Sequence, residues 1–128
     1  MNEPATTEGT GTALRTALAY YHAWTSHDVD QAMSYIADDI VCDAPGQRLE
    51  GADEYRAFMG PFVQMLKGSR LIAAFGDETT ALIMYDTETI PVKSGPGAEC
   101  VTVADGKITR SNFIFDRLPF EAARNAAS

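Results

Sequence analysis

Hydrophobic residues recur at helical spacing near the start of the chain. In residues 12–28, Leu14, Leu18 and Tyr21 fall on one stripe, and Trp24 lies beside that stripe. A stripe of this width is typical of a helix that packs one broad face against a core. We therefore predict a first helix over this segment.

Two further helices are predicted from the same period. Residues 29–37 form a short amphipathic segment, with Asp28 placed as its N-cap. Residues 52–66 carry a longer apolar stripe. Pro61 lies inside this stripe and is expected to kink the helix or split it into two pieces.

Alternating or continuous apolar runs in the rest of the chain predict strands. A short strand in residues 38–51 ends at a Pro45-Gly46 turn, and Asp105-Gly106 is a hairpin signal between two alternating runs. The other strand-like segments are 69–77, 79–92 and, after a Gly/Pro loop at 93–97, 98–116.

This order of elements predicts an α+β fold. Three helices precede a curved antiparallel or mixed sheet, which would wrap around the N-terminal helix as a cone and leave a conical cavity. Residues 1–11 are polar and predicted to be a disordered leader. Residues 12–128 form the single predicted domain, with a short C-terminal tail that docks partly through Phe120.

Composition and charge narrow the classes of partner. The chain has 128 residues, 45% of them hydrophobic, and a formal net charge of −8. An acidic surface repels phosphate and anionic lipid, so neither nucleic acid nor a membrane is an expected partner. Because the N-terminus lacks the features of a signal peptide and there are only two cysteines, we expect a cytoplasmic protein.

Common cofactor and nucleophile motifs give weak signals. The string "GTGTAL" lacks the third glycine of a dinucleotide loop and follows no predicted strand. His22 and His27 have the wrong spacing for two metal ligands on one helix face. Cys42 shares strand parity with Ala44 and is interpreted as a small inward-facing hydrophobe. We expect no metal and no organic cofactor.

Carboxylates that interrupt apolar strand faces are the stronger signal. In "ALIMYDTETIPV", residues 81–92, Asp86 and Glu88 share a face with Leu82 and Met84. In the next strand, Glu99 shares a face with Val101 and Val103. This pattern fits either a polar patch in an apolar cavity or two strands that leave the core at these ends.

Three strings resemble the SnoaL-like branch of the nuclear-transport-factor-2-like superfamily. These strings are "YYHAWTSHDVDQAMSYIADDIVCDAPG", "LEGADEYRAFM" and "DGKITRSNFIFDRLPFEAA". The resemblance extends over nearly the whole chain and implies the cone fold. It leaves the activity open, because isomerases, cyclases, epoxide hydrolases, dehydratases and binding domains share that fold.

The resemblance carries over residue by residue only in part. Compared with ketosteroid-isomerase relatives, Tyr20 takes the place of the oxyanion-hole tyrosine and Glu99 that of the protonated acid. Their general-base position falls on Ala44, and the neighbouring Asp43 points away from the cavity by alternation. The substitution at Ala44 implies a different proton acceptor or none.

Limonene-epoxide-hydrolase relatives give a second comparison. The strand that carries their Arg and one Asp matches Asp86 and Glu88, whereas their second Asp matches Phe113. This chain therefore has an acid on the matching strand but no residue that corresponds to the Arg of those relatives. The resemblance also implies that the face bearing Asp86 and Glu88 lines the cavity.

The leading hypothesis is a small-molecule enzyme that acts by acid–base chemistry on an apolar, oxygen-bearing substrate. Glu88 or Asp86 would be the base, and Tyr20 and a protonated Glu99 would be the hydrogen-bond donors. A Glu88/Glu99 pair that shares one proton is expected, with Asp86 ionised near the rim. The predicted ligand-binding wall consists of Trp24, Cys42, Ala44, Phe58, Met84, Val101, Phe113 and Phe115.

A non-catalytic ligand-binding or dimerisation domain of the same fold is the alternative hypothesis, and Ala44 at the base position favours it. A homodimer is expected in either case. It would form back to back through the sheet face opposite the cavity. The residues predicted for that face are Ala81, Ile83, Tyr85, Thr87, Thr89, Cys100 and Thr102.

Overall fold

The computed structural model describes residues 6–8 and 11–127. Its helices are α1 (Thr12–Thr25), α2 (Val29–Met33), α3 (Ala52–Met65) and α4 (Leu118–Ala127). Its strands are β1 (Thr6–Glu8), β2 (Ile36–Ala44), β3 (Gln47–Glu50), β4 (Leu66–Gly76), β5 (Thr80–Thr89), β6 (Gly97–Ala104) and β7 (Lys107–Phe115).

The described strands form one mixed sheet in the order β1-β4-β5-β6-β7-β2-β3. The β1–β4 and β2–β7 pairs are parallel and the others are antiparallel. Register shifts in β2, β4 and the β6–β7 ladder introduce irregularities, which increase strand twist and bending. The sheet is curved and unclosed, so the predicted α+β class is confirmed.

Helix α1 lies against the inner face of this sheet, in contact with β4, β5, β6 and β7. Its Ala13, Leu14, Ala17, Tyr20 and Trp24 are all buried. The broad apolar face that the sequence predicts therefore packs inside the curve of the sheet, where it provides most of the helix's contribution to the core.

Several local predictions are confirmed. The Asp28 side chain accepts a hydrogen bond of 3.0 Å from the Gln31 backbone N–H and caps α2. Asp105 and Gly106 both have positive φ and connect β6 to β7 by the tight turn that their sequence indicates. Asp43 points outward, where Arg48 and Arg110 pair with it.

Other boundaries differ from the predictions. Helix α2 ends at Met33 because β2 already starts at Ile36, and α3 continues through Pro61 as one helix. The predicted disordered leader is wrong for β1, whose three residues pair with β4. Residues 1–5 and 9–10 of that leader lie outside the described residues. The predicted tail contains α4.

The predicted orientation of β5 is wrong. Tyr85 and Thr87 are buried on the inner face, whereas Asp86, Glu88 and Met84 point to the outer face. Glu88 is paired with Lys67 at 3.4 Å, and Asp86 accepts hydrogen bonds from the Ser94 hydroxyl. Neither carboxylate therefore reaches Glu99, and the expected Glu88/Glu99 pair does not form.

Two threonines explain why β5 can face this way. The Thr87 hydroxyl donates to the Gly95 carbonyl at 2.7 Å, and the Thr89 hydroxyl donates to the Val92 carbonyl at 3.3 Å. Their polar groups are thus satisfied by the loop after β5, which removes the cost of burying them.

The same correction applies to the expected dimer face. The predicted β5 residues of that face, which are Ala81, Ile83, Tyr85, Thr87 and Thr89, are buried on the inner side. Cys100 and Thr102 do lie on the outer side of β6. The outer face of β5 instead presents Leu82 and Met84, both exposed.

The start of α1 is fixed by the β4–β5 connection. The Glu78 carboxylate accepts hydrogen bonds from the Thr12 backbone N–H at 3.1 Å and the Thr12 hydroxyl at 3.0 Å. The Asp77 carbonyl accepts from the N–H groups of Ala13 and Leu14. A carboxylate from another element thus takes the place of an N-cap side chain and complements the helix dipole.

Glu78→Gln should lower the melting temperature by a few degrees at about pH 7, because the variant lacks the charge that caps α1. Hydrogen bonds from Thr12 hold the pKa of Glu78 below its usual value. Its stabilising effect is therefore present above the unfolded-state pKa and is lost as pH falls through the lower folded-state pKa. Thermal melts from about pH 7 to about pH 3 should show that the difference in melting temperature between the variant and wild type shrinks.

Asp39→Asn, at an exposed site of β2, is the matched control. An equal loss of melting temperature in that variant would contradict the capping role of Glu78.

Candidate ligand cavity

A cavity of about 230 Å³ opens between α1, α3, the sheet and α4. It is smaller than the roughly 300–1,000 Å³ of typical pockets for drug-sized ligands, so it suits a small molecule. Its lining residues are Tyr20, Trp24, Cys42, Tyr55, Phe58, Met59, Phe62, Tyr85, Thr87, Gly95, Gly97, Glu99, Phe113, Phe115 and Phe120.

Seven of the residues predicted for the site lie on this cavity wall. They are Tyr20, Trp24, Cys42, Phe58, Glu99, Phe113 and Phe115. Glu99 is on the inner face of β6, as its alternation with Val101 and Val103 predicts. Their roles in binding or catalysis stay predictions.

Five predicted residues are not on the cavity wall. Asp86, Glu88 and Met84 are excluded by the orientation of β5, and Met84 is 43% exposed on the outer face. Ala44 is half-buried at the end of β2, where it pairs with Gln47. Val101 faces inward but belongs to the core, two residues beyond Glu99 along β6.

The sequence reasoning missed two tyrosines that reach the cavity. Tyr85 points into the cavity, whereas the prediction placed it on the outer face of the sheet. Tyr55 was counted only as one apolar position in the stripe of the third predicted helix. Tyr55 could have been found, because a hydroxyl on a buried apolar stripe requires a hydrogen-bond partner. Tyr85 was assigned to the outer face, because both faces of β5 carry large apolar residues and alternation does not tell them apart.

The polar end of the cavity is a network of three tyrosines around Glu99. Glu99 is 4% exposed, and the Tyr85 hydroxyl donates to its Oε2 at 2.7 Å. The Tyr20 hydroxyl also lies near Glu99 and lowers the pKa of its carboxyl group. The hydroxyls of Tyr20 and Tyr55 are also hydrogen-bonded to each other. Elements α1, β5 and β6 therefore meet at a single carboxyl group, and α3 joins the network through the Tyr55 hydroxyl.

Burial raises the pKa of Glu99 to about 7, although the hydrogen bonds from Tyr85 and Tyr20 act in the opposite direction. Burial also raises the pKa of Tyr20, Tyr55 and Tyr85, and the nearby Glu99 charge raises each further. Near neutral pH these phenols keep their protons, whereas Glu99 is divided between its neutral and ionised forms.

Cys42 borders this network without being an activated nucleophile. Burial raises the pKa of its thiol to about 11, and the charge of Glu99 adds to that effect. A reactive cysteine needs the opposite environment, with a lowered pKa. The thiol thus acts as a small, weakly polar part of the wall.

Aromatic rings enclose the rest of the cavity. Phe113 stacks on Phe115 with ring centroids 5.0 Å apart, and Phe120 of α4 meets Phe115 edge-on at 5.9 Å. Trp24 packs against Tyr85 at 5.2 Å. The predicted docking of Phe120 is confirmed, and its ring closes one side of the opening. A ligand's apolar part would be held mainly by these rings.

Residues 6–8 and 11–127 contain neither a candidate metal site nor a membrane-spanning helix. No group of three or more His, Cys, Asp or Glu side chains is placed to hold a metal ion. No helix in this part of the chain has the length and apolar character needed to cross a membrane.

Glu99→Gln should change how stability depends on pH. The raised pKa means that the folded protein holds the Glu99 proton more tightly than the unfolded chain, so stability falls as pH rises from about 4.5 to about 7 and is level above. The difference amounts to roughly 3 kcal/mol. Glutamine cannot ionise. Urea unfolding at about pH 4.5 and pH 8.5 should therefore show the variant gaining stability relative to wild type as pH rises.

Glu88→Gln on the neighbouring strand is the matched control for this measurement, because it makes the same chemical change at a half-exposed position on the outer face. The free energy of unfolding of Glu88→Gln, relative to that of wild type, should not increase between about pH 4.5 and pH 8.5. If Glu99→Gln and wild type have parallel stability curves, Glu99 is ionised in the folded protein well below pH 7.

Comparisons with solved structures place this fold among known proteins. The chain is similar to a crystal structure of a protein from Kribbella flavida DSM 17836, with 58% identity, a TM-score of 0.90 and coverage of 92% of this chain and 98% of that chain. It is also similar to a putative polyketide cyclase from Xanthomonas campestris pv. campestris, with 22% identity, a TM-score of 0.71 and coverage of 88% and 96%. An LEH-like epoxide hydrolase from M. tuberculosis has 19% identity, a TM-score of 0.70 and coverage of 88% of each chain. The latter two likenesses show the fold alone.

Sequence comparisons identify the family. A search of curated proteins gives no match. The sequence profile of the SnoaL-like domain matches residues 17–111, from within α1 to within β7. The matched segment includes Tyr20, Tyr55, Tyr85 and Glu99. The chain belongs to the SnoaL-like domain family.

Proposed function

We propose that the protein is a small-molecule enzyme in which Glu99 performs acid–base chemistry on an apolar, oxygen-bearing substrate. The observation that carries the proposal is a buried carboxyl group on the wall of an apolar cavity. Its burial raises the pKa to about 7. A general base is most effective when its pKa is close to the working pH. Glu99 thus replaces Glu88 and Asp86 as the proposed base.

The number of carboxylates narrows the reaction type. Among the described lining residues, Glu99 is the only acid. One carboxylate can take a proton from one atom of a substrate and return it to another, which suffices for an isomerisation or a ring closure. Tyr20 and Tyr85 hold the carboxylate in place by their hydrogen bonds and stabilise its charge. These reaction types are favoured over a hydrolysis that needs two carboxylates.

The names of similar structures support a catalytic use of this fold. They include a putative polyketide cyclase and an LEH-like epoxide hydrolase.

The alternative function is binding of a small ligand without catalysis. Ala44 at the usual base position and the single acid in the cavity favour that alternative. Both free cysteines are compatible with the proposed cytoplasmic location.

With a substrate in hand, Glu99→Gln should reduce kcat by about a hundredfold or more, because the amide cannot accept the proton. Wild-type kcat should rise with pH through about 7 as Glu99 ionises. Glu88→Gln and Asp86→Asn should leave kcat nearly unchanged, since both residues are on the outer face. Undiminished turnover by folded Glu99→Gln would contradict its role as the base, and binding without turnover by wild type would favour the alternative function.

A homodimer through the outer sheet face remains part of the proposal, with corrected residues. Met84, Ala98 and Ile114 are direct cross-strand neighbours on that face, and Phe75, Leu82 and Cys100 form the adjacent row. Ile114 is 66% exposed and Met84 43%. An apolar patch across four neighbouring strands is typical of a surface that a second protein copy covers.

Ile114→Glu should therefore raise the dimer dissociation constant by at least about tenfold, because each interface would bury two new charges. Ile90→Glu is the control, since Ile90 is at least as exposed but lies directly after β5, outside the patch. Sedimentation velocity at micromolar concentrations measures both. A wild-type monomer, or equal weakening by the two variants, would contradict this interface.

A further inference from the structure

The hydroxyl hydrogens at the polar end of the cavity are committed to the protein itself when Glu99 is ionised. Tyr85 donates its hydrogen to Glu99 at 2.7 Å. Each phenol has one hydrogen, and an ionised carboxylate is the strongest acceptor near Tyr20, whose hydroxyl lowers the pKa of Glu99. We therefore assign the Tyr20 hydrogen to Glu99. Either hydroxyl can donate in the Tyr20–Tyr55 contact, and with the Tyr20 hydrogen assigned to Glu99 the donor is Tyr55. The chain of donors ends on the carboxylate.

Other donors in the wall are also occupied or enclosed. The Thr87 hydroxyl donates to the Gly95 carbonyl at 2.7 Å, and the Gly95 N–H donates to the Thr87 carbonyl at 2.8 Å. The Trp24 indole N–H has no partner among the described residues, but its nitrogen is enclosed by protein atoms and does not border the open space. The Cys42 thiol remains as a weak donor.

The acceptors, in contrast, are not exhausted. An ionised carboxylate has about four acceptor sites and each tyrosine oxygen has two lone pairs, more than the network uses. The described cavity wall contains no Lys, Arg or His that could hold an anion. Near neutral pH and above, this end of the cavity offers oxygen acceptors and a negative charge to a ligand.

We propose that the inner end of the cavity binds a hydrogen-bond donor, a hydroxyl or a protonated amine on a small apolar body, in preference to a carbonyl oxygen or an anion. The inference rests on the proposed use of the cavity as a ligand site and narrows the substrate class. A donor satisfies the free acceptors, whereas a bare carbonyl oxygen would meet acceptors only and lose its hydrogen bonds to water. The surrounding rings hold the apolar body, and they also favour a cation.

The preference should depend on pH through Glu99. The titratable groups that face it are Tyr20 from α1, Tyr55 from α3, Tyr85 from β5 and Cys42 from β2. The pKa values of these four groups are raised, so they stay protonated while Glu99 changes state. Protonated Glu99 has an O–H of its own and can donate to a ligand, which makes a carbonyl acceptable at acid pH.

Four probes of nearly equal size separate these possibilities: 1-phenylethanol, protonated 1-phenylethylamine, acetophenone and benzoate. Dissociation constants would be measured by protein-observed NMR at about pH 5.5 and pH 8.5. At pH 8.5 we expect the alcohol or the amine to bind about tenfold more tightly than acetophenone, and benzoate to bind least. At pH 5.5 the disadvantage of acetophenone should shrink. Comparison of the dissociation constants of the alcohol and the amine distinguishes a hydroxyl site from an amine site.

Glu99→Gln should remove most of the pH dependence of the dissociation constants. It should also strengthen the binding of acetophenone relative to that of the alcohol, because the amide offers N–H donors at every pH. Glu88→Gln should retain the wild-type pattern. If acetophenone or benzoate binds at least as well as both donors to wild type at pH 8.5, the inference is wrong while the cavity remains a ligand site. If none of the four probes binds wild type at either pH, the proposed function fails with it.

Discussion

The burial of one carboxyl group, that of Glu99, is the constraint on which the site depends. The described cavity wall provides no basic side chain to pair with it, so hydroxyl groups must satisfy it. Tyr85 does so from β5 and Tyr20 does so from α1. The orientation of β5, which places Tyr85 on the inner face, and the position of α1 across the sheet are therefore both linked to this group. Tyr55 extends the same network to α3, which connects the two helices that flank the cavity.

The opposite end of the cavity is built by packing rather than by hydrogen bonds. Phe120 brings α4 against Phe62 and Phe115, and the loop after β5 approaches closely at Gly95. A Cβ atom at Gly95 would lie 3.2 Å from the Thr87 hydroxyl oxygen and 3.4 Å from the Phe120 ring, so a larger residue would press on both. A ligand would thus meet an aromatic enclosure on its apolar side and a few fixed oxygen atoms at its polar end. The first gives affinity by burying apolar surface, and the second selects the functional group.

The sequence was informative where one strand face was clearly different from the other. On β6, Glu99, Val101 and Val103 alternate with small or polar residues, and their inward orientation could be predicted. On β5, both faces carry large apolar residues, so alternation alone could not decide the orientation. The threonines at its end were assigned to the outer dimer face, because their carbonyl partners come from a loop whose path the sequence does not specify. The three-residue β1 was missed for a similar reason, since its pairing with β4 is entirely tertiary.

The orientation of β5 changes the chemistry that the cavity can support. With Asp86 and Glu88 inside, two or three carboxylates would share protons and titrate as a coupled set, with one acid and one base assigned by proximity. With both outside, Glu99 is surrounded by phenols whose pKa values lie far above its own. The proton that matters near neutral pH then belongs to a single residue. The same group must therefore both accept a substrate proton and return it, and its charge state decides whether the cavity offers a donor or only acceptors. Proton transfer and ligand selection thus depend on one ionisation, which makes the tyrosine network as important as the carboxyl group that it holds.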